Sequence, residues 1–383
     1  MGDTIDYSKK LDAYALKVDA AALRNLEETF LAQITEGQHP AAQMVVLLNG
    51  KVLFDRAAGS FRGNGKKRVT QQTPFYCFSV TKAFTAMCVH KLVEEGKIAL
   101  DAPVAQYWPA FGKHGKDTVT VSQAFLHMAG IPTVGFYRQI PLWPFPRLLA
   151  ADTANLKPQF EPGTVMAYHP ISWGTIMGEL VRRVSGMPLN EYFKRHFAEP
   201  LGLTHTWLKL PLGKRKDSPP ILSGADDQKN AKELFNFPPI RRALLPAGSL
   251  HSNAREMAIF YHMLVSGGTY NGKQFLKPET IENATSLHFQ GKDEISGRES
   301  IWGYGFHLGG RESSEELGEP VYGARSTLRS FGHVGNRSTM AWADHDHKLV
   351  VTFTCNRFLS NEDSRQRWIS LNNAVWDVVD SSR

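Results

Sequence analysis

The fold is decided by the stretch Phe78-Ser79-Val80-Thr81-Lys82, which runs directly into Ala83-Phe84-Thr85-Ala86-Met87. On a helix that begins near Ser79, positions i and i+3 share a face, so the Lys82 amine can reach the serine hydroxyl. A serine is a weak nucleophile until a base takes its proton, and lysine is such a base only when burial or positive charge lowers its pKa. The pattern therefore predicts an activated serine. Its structural alternative is a helix-start serine beside a solvated lysine.

The composition is that of an ordinary globular protein. The 383 residues are 42% hydrophobic and can bury a large core, as one domain or as two that pack closely. The net charge of +7 is spread widely, with two compact basic clusters at Lys214-Arg215-Lys216 and Arg241-Arg242. Since no stripe of basic residues interleaved with aromatic residues accompanies them, we expect solvated loops there and no nucleic-acid partner.

Signals for targeting, membrane insertion and metal binding are weak in this sequence. Residues 1–6 contain no charged and then apolar signal segment, and no apolar run has membrane-spanning length, so we expect a cytoplasmic protein with no membrane partner. The cysteines Cys77, Cys88 and Cys355 are too few and too scattered for a disulfide framework or a metal cage. We therefore expect no metal and no cofactor, and we expect Cys77 to be a buried, apolar-like side chain.

Periodicity places strands at both ends of the chain and helices between them. A helix is predicted over residues 19–35, followed by a tight hairpin around Asn49-Gly50. A second hairpin turns at residues 344–347 and precedes a C-terminal helix, while helical patterns and proline-broken loops fill residues 81–260. The chain therefore predicts an α/β fold of the α+β type, in which an antiparallel sheet is flanked by helices and carries an inserted, mainly helical subdomain.

Further segments follow the serine–lysine stretch in a fixed order. They are Gly96-Lys97-Ile98-Ala99-Leu100-Asp101-Ala102-Pro103-Val104, then Phe125-Leu126-His127-Met128-Ala129-Gly130-Ile131-Pro132, then Phe160-Glu161-Pro162-Gly163-Thr164 before Tyr168, and Gly332-His333-Val334-Gly335. Together these segments resemble the superfamily of serine β-lactamases and penicillin-binding proteins, and most closely its family VIII carboxylesterases. The resemblance runs through most of the chain.

The resemblance implies a β-lactamase-like serine hydrolase in a single domain over residues 20–375. Within it, residues 1–75 with 245–383 would form the sheet subdomain, and residues 76–244 the helical one. The implied activity is the cleavage of a small-molecule carboxylic ester through an acyl-enzyme, with no cofactor.

The resemblance also implies a role for individual residues. Ser79 would be the nucleophile, with Lys82 and Tyr168 as general base and proton shuttle. A phenol beside cationic groups has its pKa lowered toward a useful range, which we expect for Tyr168. The backbone N–H groups of Ser79 and Asn336 would form the oxyanion hole, and Gly335 would let its strand approach the substrate closely.

Two positions depart from the pattern of β-lactamases and penicillin-binding proteins. Where those proteins read Tyr-x-Asn and Lys-Thr-Gly, this chain has Tyr168-His169-Pro170 and His333-Val334-Gly335. Pro170 lacks the amide that binds a β-lactam side chain. His333, facing the nucleophile, can hydrogen-bond the tyrosine or a substrate carboxylate, but it is mostly neutral near pH 7 and holds a carboxylate less firmly than lysine. Both departures favour neutral esters. We expect His169 at the rim of the site.

Residues 131–149 are unusually rich in aromatic residues and prolines for a loop. Phe136, Tyr137, Trp143 and Phe145 are predicted to form a stiff apolar wall over the substrate pocket. The alternative is that these rings pack beneath the helical subdomain. Residues 211–239, which are long and polar, are expected to be a mobile counterpart of the wall.

Other activities are alternatives to ester cleavage, and the sequence motifs do not separate all of them. A lipase-type α/β-hydrolase is disfavoured because no serine here has glycines at both −2 and +2. A β-lactamase, a D-amino-acid peptidase or amidase, and an acyltransferase would all use the same acyl-enzyme. A non-catalytic binding relative is disfavoured because every implied catalytic group is present. The natural substrate, the acyl chain length, the enantiopreference and the oligomeric state are not encoded in any motif.

Overall fold

A large antiparallel sheet organises the computed structural model, which describes residues 5–8, 18–310 and 320–381. The strands are β1 (Ala41–Leu48), β2 (Lys51–Gly59), β3 (Phe75–Tyr76), β4 (Leu222–Ser223), β5 (His251–Ser252), β6 (Thr269–Tyr270), β7 (Lys273–Gln274), β8 (Phe289–Lys292), β9 (Glu299–Trp302), β10 (His307–Leu308), β11 (Ser330–Gly335), β12 (Thr339–Asp344), β13 (Leu349–Cys355) and β14 (Arg357–Phe358). The large sheet has eight strands in the order β2-β1-β13-β12-β11-β10-β9-β8, and its pairs are antiparallel. Strands from the two ends of the chain therefore lie side by side.

Helices cover the sheet and fill the middle of the chain. The helices are α1 (Ala20–Thr35), α2 (Thr81–Glu94), α3 (Val104–Tyr107), α4 (Val121–Phe125), α5 (Phe136–Gln139), α6 (Pro146–Ala154), α7 (Ser172–Ser185), α8 (Leu189–Phe193), α9 (Lys229–Asn236), α10 (Pro238–Arg241), α11 (Ala254–Val265), α12 (Pro278–Thr285) and α13 (Asn361–Asp380). Within the described ranges, none of them has the length and apolar character needed to cross a lipid bilayer.

The sheet is buried on both faces, which the sequence of β1 explains. Because side chains alternate along a strand, Met44 and Val46 join the cluster beneath α1 and α13, while Val45 and Leu47 point to the opposite face, where α11 packs. All eight residues of β1 are buried. From Met44 to Leu48 the strand therefore reads as a continuous apolar run, as expected for the centre of a sheet.

The predicted α/β fold with an antiparallel sheet is confirmed. Helix α1 begins after Asp19, whose carboxylate accepts the N–H of Ala21, and the first hairpin turns at Asn49 and Gly50 with φ values of 50° and 73°. The division into a sheet subdomain and a helical subdomain stays a prediction, and its parts at residues 1–4, 9–17, 311–319 and 382–383 lie outside the described residues.

Two segments that the sequence presents as loops are folded into short elements. Residues 131–149 contain α5, a 3-10 turn at Ile140–Leu142 and the start of α6. Residues 211–239 contain 3-10 turns, β4, α9 and the start of α10. Proline explains part of the misassignment, because it fits the first turn of a helix, as Pro146 does in α6 and Pro238 in α10.

Helix α2 lies in the middle of the helical region. Eleven of its residues are buried, because α7 and α8 pack against it on one side and α12 and β11 approach it on others. Its three partly exposed residues, Lys91, Val93 and Glu94, all lie near its C-terminal end. The lysine in its first turn, Lys82, is therefore held inside the protein.

Candidate active site

The backbone turns sharply just before Ser79. Phe78 is buried and has a φ of 48°, in the left-handed region that a bulky residue rarely adopts. A 3-10 turn at Phe78–Val80 then leads into α2. Thr81 anchors this turn, since its hydroxyl donates to the carbonyl of Phe78 and accepts the N–H of Leu250 at 2.9 Å. The turn presents Ser79, which is half-buried, at the start of the helix.

Three side chains meet at this point. The Lys82 amine lies 3.3 Å from the Ser79 hydroxyl oxygen and 2.8 Å from the Tyr168 phenol oxygen, and the phenol oxygen lies 3.1 Å from the serine oxygen. Each polar atom is therefore within hydrogen-bond reach of the other two. The structure brings together the serine, the lysine and the tyrosine that the sequence singled out.

Backbone carbonyls fix the orientation of the Lys82 amine. The amine contacts the carbonyl oxygens of Pro170 at 3.3 Å and Ala247 at 3.2 Å. A neutral amine has two N–H donors and one lone pair, so when both donors are given to these carbonyls the lone pair is left for the two hydroxyls. This geometry suits a base that accepts the proton of Ser79.

Burial sets the charge state of the site. The Lys82 side chain is fully buried, and this burial lowers its pKa from 10.5 to about 7. The expected lowering of the Tyr168 pKa is wrong: burial raises it well above its ordinary value of 10, and the hydrogen bond to Ser79 offsets this only in part. A neutral lysine gives the phenol no cation to offset its loss of solvation. Near pH 7 the site therefore holds a partly neutral amine and a protonated phenol.

The loop that carries Tyr168 is fixed by hydrogen bonds from its backbone. The Tyr168 N–H donates to the Asp293 carboxylate at 2.9 Å, and the His169 N–H donates to Nδ1 of His127, also at 2.9 Å. Asp293 is 4% exposed and also accepts the N–H groups of Ile295 and Ser296. The sequence did not single out Asp293, because it lies 125 residues beyond the tyrosine in the turn between β8 and β9.

His169 is not at the rim of the site, so that prediction is wrong. The side chain is 1% exposed. Its Nδ1 donates to the carbonyl of Ala167, and its Nε2 accepts the N–H of Ile131 at 3.0 Å. Burial lowers its pKa to about 4, so the ring is neutral near pH 7. Both nitrogens serve to join the tyrosine loop to the chain before α5, which leaves neither of them for a substrate.

His333 and Trp302 lie beside the phenol. The ring centre of Tyr168 is 6.2 Å from that of His333 and 6.0 Å from that of Trp302. His333 is 4% exposed, and burial together with the nearby Lys82 keeps its pKa well below 6.5. Its Nδ1 lies 2.6 Å from the carbonyl oxygen of Val334, so Nδ1 carries the proton of the neutral ring. Nε2 is then an acceptor, and it has no partner among the described residues.

His127 and Trp302 were not predicted as residues of the site. The ring of His127 lies 4.7 Å from Tyr168 and 4.9 Å from Trp302. His127 stands in one of the segments that carry the family resemblance, and this position is the sequence signal that points to it. Trp302 sits at the end of the short strand β9, where no local pattern marks it.

Gly335 has a structural role besides the predicted approach to the substrate, which stays a prediction. A Cβ atom built on Gly335 would lie 2.2 Å from the carbonyl oxygen of Cys77, so the missing side chain lets β11 pack against the segment before Ser79. Asn336 follows with a φ of 22°. Cys77 is buried as expected, and burial raises the pKa of its thiol.

The four aromatic residues of the predicted wall do not share one environment. Trp143 is fully buried and belongs to a small apolar cluster with Leu149 and Ile240, whereas Tyr137 is 84% exposed and Phe145 is 56% exposed. Phe136 packs on the edge of Trp143 at 5.7 Å. Trp143 is therefore a packing residue. For Trp143 and Phe136, the structure favours the alternative in which the rings pack within the helical region.

Phe235 of α9 connects that cluster to the nucleophile segment. Its ring lies 6.1 Å from that of Trp143 and 5.0 Å from that of Phe78, the residue before Ser79. The sequence predicted a pocket wall at residues 131–149 and a mobile counterpart of it at residues 211–239, and did not single out Phe235.

The fold and the site define a serine hydrolase of the β-lactamase type, and comparison with known proteins agrees. The beta-lactamase family model matches residues 23–375, so the chain belongs to the beta-lactamase family. Among characterised relatives, the esterase/beta-lactamase LipL of Mycobacterium tuberculosis is 29% identical over 74% of this chain and 69% of its own length.

Solved structures give the same assignment of family and fold. A family VIII carboxylesterase has a TM-score of 0.79 and 27% identity, covering 93% of this chain and 98% of its own. A penicillin-binding protein homologue from Caulobacter crescentus has the same TM-score and identity, covering 94% of this chain and 98% of its own. The predicted membership in this superfamily is confirmed.

Proposed function

We propose that this protein is a carboxylesterase that cleaves small carboxylic esters through an acyl-enzyme on Ser79. The observation that carries the proposal is the buried amine of Lys82, 3.3 Å from the serine oxygen and 2.8 Å from the phenol oxygen. Its pKa of about 7 lets it accept the serine proton at neutral pH.

In the first half of the reaction the serine oxygen attacks the ester carbonyl, and its proton moves to the Lys82 amine. The N-terminal end of α2 and the backbone N–H groups of Ser79 and Asn336 would stabilise the negative charge on the carbonyl oxygen. The intermediate then collapses and expels the alcohol. Tyr168, which is still protonated, donates its proton to the departing oxygen and is reprotonated by the lysine.

The second half reverses these roles with water in place of the alcohol. Water attacks the acyl carbonyl, and one of its protons passes through Tyr168 to the Lys82 amine. When the second intermediate collapses, the proton returns to the oxygen of Ser79 and the carboxylic acid leaves. No step requires Tyr168 to be a phenolate at rest, which is consistent with the raised pKa of its phenol.

The state of His333 supports neutral esters over substrates that carry a carboxylate. Its free Nε2 has a lone pair, so it accepts a hydrogen bond and repels an anionic oxygen. Pro170 contributes its backbone carbonyl to Lys82 and has no side-chain amide for a β-lactam. The family VIII carboxylesterase among the solved relatives agrees with this preference.

A β-lactamase activity is the second candidate, since the relative LipL is described as an esterase and a beta-lactamase. Measuring kcat/KM for p-nitrophenyl esters of graded chain length and for nitrocefin separates the two. We expect the butyrate ester to be turned over faster than nitrocefin. If nitrocefin is the better substrate, the assignment to esters is wrong. A His333→Lys and Pro170→Asn double variant should raise nitrocefin turnover if these two positions set the preference.

A further inference from the structure

A cleft of about 550 Å³ shares no lining residue with the candidate active site, and seven of its fifteen lining residues are basic. Its walls come from the segment after β2, from residues 215–222 and from α9 and α10. The seven basic residues in its lining are Arg62, Lys66, Lys67, Arg215, Lys216, Lys232 and Arg241. Glu233 is the one acidic residue in the lining. The net charge of this cleft is therefore +6, against +7 for the whole chain.

These positive charges are not neutralised within the described parts of the chain. Glu233 pairs with Lys232 at 3.0 Å, and none of the other six basic residues forms a salt bridge with a described residue. The Lys67 amine donates to the carbonyl of Lys216, so the two basic segments are held together across the cleft. Like charges at this density repel one another, and an anion between them would remove that repulsion.

Arg241 gives the cleft a buried and fixed cation. The residue is 2% exposed, and its guanidinium donates to the Ser218 hydroxyl at 2.7 Å, the Pro219 carbonyl at 2.6 Å and the Asn236 side chain at 3.2 Å. All three acceptors are neutral. Burial lowers the pKa of Arg241 to about 10, and the nearby Arg215 acts in the same direction. A buried guanidinium usually has a carboxylate partner, and Arg241 has none among the described residues.

We propose that this cleft binds a small phosphorylated organic molecule with two or more negative charges. Several cations, three of them guanidinium groups that line one cleft, match the oxygens of a phosphate better than a single carboxylate does. The volume lies in the range of small-molecule sites and exceeds that of one phosphate ion. Phe61, Ile221 and Leu222 add an apolar part to the lining, against which the organic portion can pack. The site does not depend on the proposed esterase activity.

Isothermal titration calorimetry at low ionic strength, with inorganic pyrophosphate and adenosine monophosphate as probes, tests the proposal. We expect saturable binding of one molecule per chain. The variant Lys66→Glu/Lys216→Glu changes two exposed side chains of the cleft and should weaken the affinity at least tenfold. The matched control Lys51→Glu/Lys157→Glu changes two exposed lysines elsewhere and should leave it nearly unchanged. Thermal melts of both variants check that they are folded.

Three results would overturn the proposal. They are the absence of saturable binding by either probe, equal weakening in the cleft variant and in the control, and binding that persists unchanged in the cleft variant. Arg241→Met is a further variant, and it should also abolish binding if it folds. Because Arg241 is buried, the conclusion depends on the exposed pair and not on this substitution.

Discussion

A comparison of two buried lysines, Lys82 and Lys116, shows which feature distinguishes the candidate catalytic site from other buried amines. Each side chain is buried, and each amine contacts two backbone carbonyls: Pro170 and Ala247 for Lys82, and Lys113 and Leu156 for Lys116. Burial lowers both pKa values, to about 7 for Lys82 and to about 8 for Lys116.

The difference between the two regions lies in the neighbouring hydroxyl groups. Lys82 has the Ser79 and Tyr168 oxygens within 3.3 Å, whereas the hydrogen bonds of Lys116 within the described chain go to carbonyls alone. Three positions before Lys116 the chain has Lys113, whereas three positions before Lys82 it has Ser79. A lowered lysine pKa therefore does not mark a catalytic site unless a nucleophile shares the same volume.

Replacing each lysine by methionine should give the largest difference in kcat/KM between the two sites. Lys82→Met should lower kcat/KM for p-nitrophenyl butyrate by at least ~10²-fold, the scale for loss of an acid–base group. Lys116→Met should leave kcat/KM nearly unchanged, because it removes a buried amine with no hydroxyl to activate. Steady-state kinetics on both variants, with melts to confirm folding, gives the answer. Equal losses in the two variants would mean that Lys82 acts only through packing.

The pH dependence of the reaction is a second test of the difference between Lys82 and Lys116. Since only the neutral Lys82 amine accepts a proton, kcat/KM should rise about tenfold per pH unit below pH 7 and level off above it. Burial raises the pKa of Tyr168 above its ordinary value of 10, so kcat/KM should not fall between pH 8 and pH 10. Lys116→Met should keep this profile. An inflection near pH 4 to 5 in the wild-type enzyme would point to a carboxylate base instead.

The free energy of unfolding should also depend on pH. Both lysines contribute to this dependence, whereas only Lys82 contributes to that of the activity. Each pKa is lower in the folded state than its ordinary value of 10.5, so the unfolded chain binds more protons between pH 7 and 10.5. The contribution of these two groups to the free energy of unfolding therefore rises with pH across that window. Lys116→Met should remove its share of this rise above pH 8 while the activity profile stays the same.

Asp293 should have a smaller effect, because it acts on Tyr168 through the backbone. Asp293→Ala removes the acceptor of the Tyr168 N–H and should lower kcat about tenfold with little change in KM, since displaced catalytic groups lose rate before binding. Asp293→Asn keeps one acceptor oxygen and should restore most of the rate. If the alanine variant changes KM and the melting temperature but not kcat, Asp293 has only a structural role.

Trp143 should have the smallest effect on catalysis. Trp143→Ala removes a buried ring and should cost about 3–5 kcal/mol of unfolding free energy, while the ratio of kcat/KM between short and long acyl esters stays constant. Tyr137→Ala, at a largely exposed position, is the matched control and should change neither quantity. A changed chain-length ratio with an unchanged melting temperature in Trp143→Ala would return this residue to the pocket wall.

The sequence could predict the parts of this molecule that depend on local spacing. The hairpin at Asn49-Gly50, the paired ends of the chain and the serine–lysine turn follow from periodicity and from residues three positions apart. Tyr168 and His333 were selected by their place in the family motifs, and the structure brings both rings within 6.2 Å of each other.

Properties that depend on solvation and on distant contacts were not predictable in the same way. The Tyr168 pKa was expected to fall, but its direction depends on burial, which only the packed structure reveals. His169 was expected at the rim, yet Ile131 and Ala167 enclose it through hydrogen bonds. Asp293, in the turn between β8 and β9, and Trp302, at the end of β9, lie more than a hundred residues beyond Tyr168, so no spacing pattern connects them to it.

Covalent trapping of the nucleophile is a direct test of the proposed acyl-enzyme on Ser79. A p-nitrophenyl phosphonate should react at phosphorus, release p-nitrophenolate and leave one phosphonyl group on the serine oxygen. Peptide mass spectrometry should find that adduct on Ser79 alone, and it should be absent in Ser79→Ala, which should also lack ester hydrolysis. Phosphonylation of a different residue in the wild-type protein, or full activity in Ser79→Ala, would contradict the account.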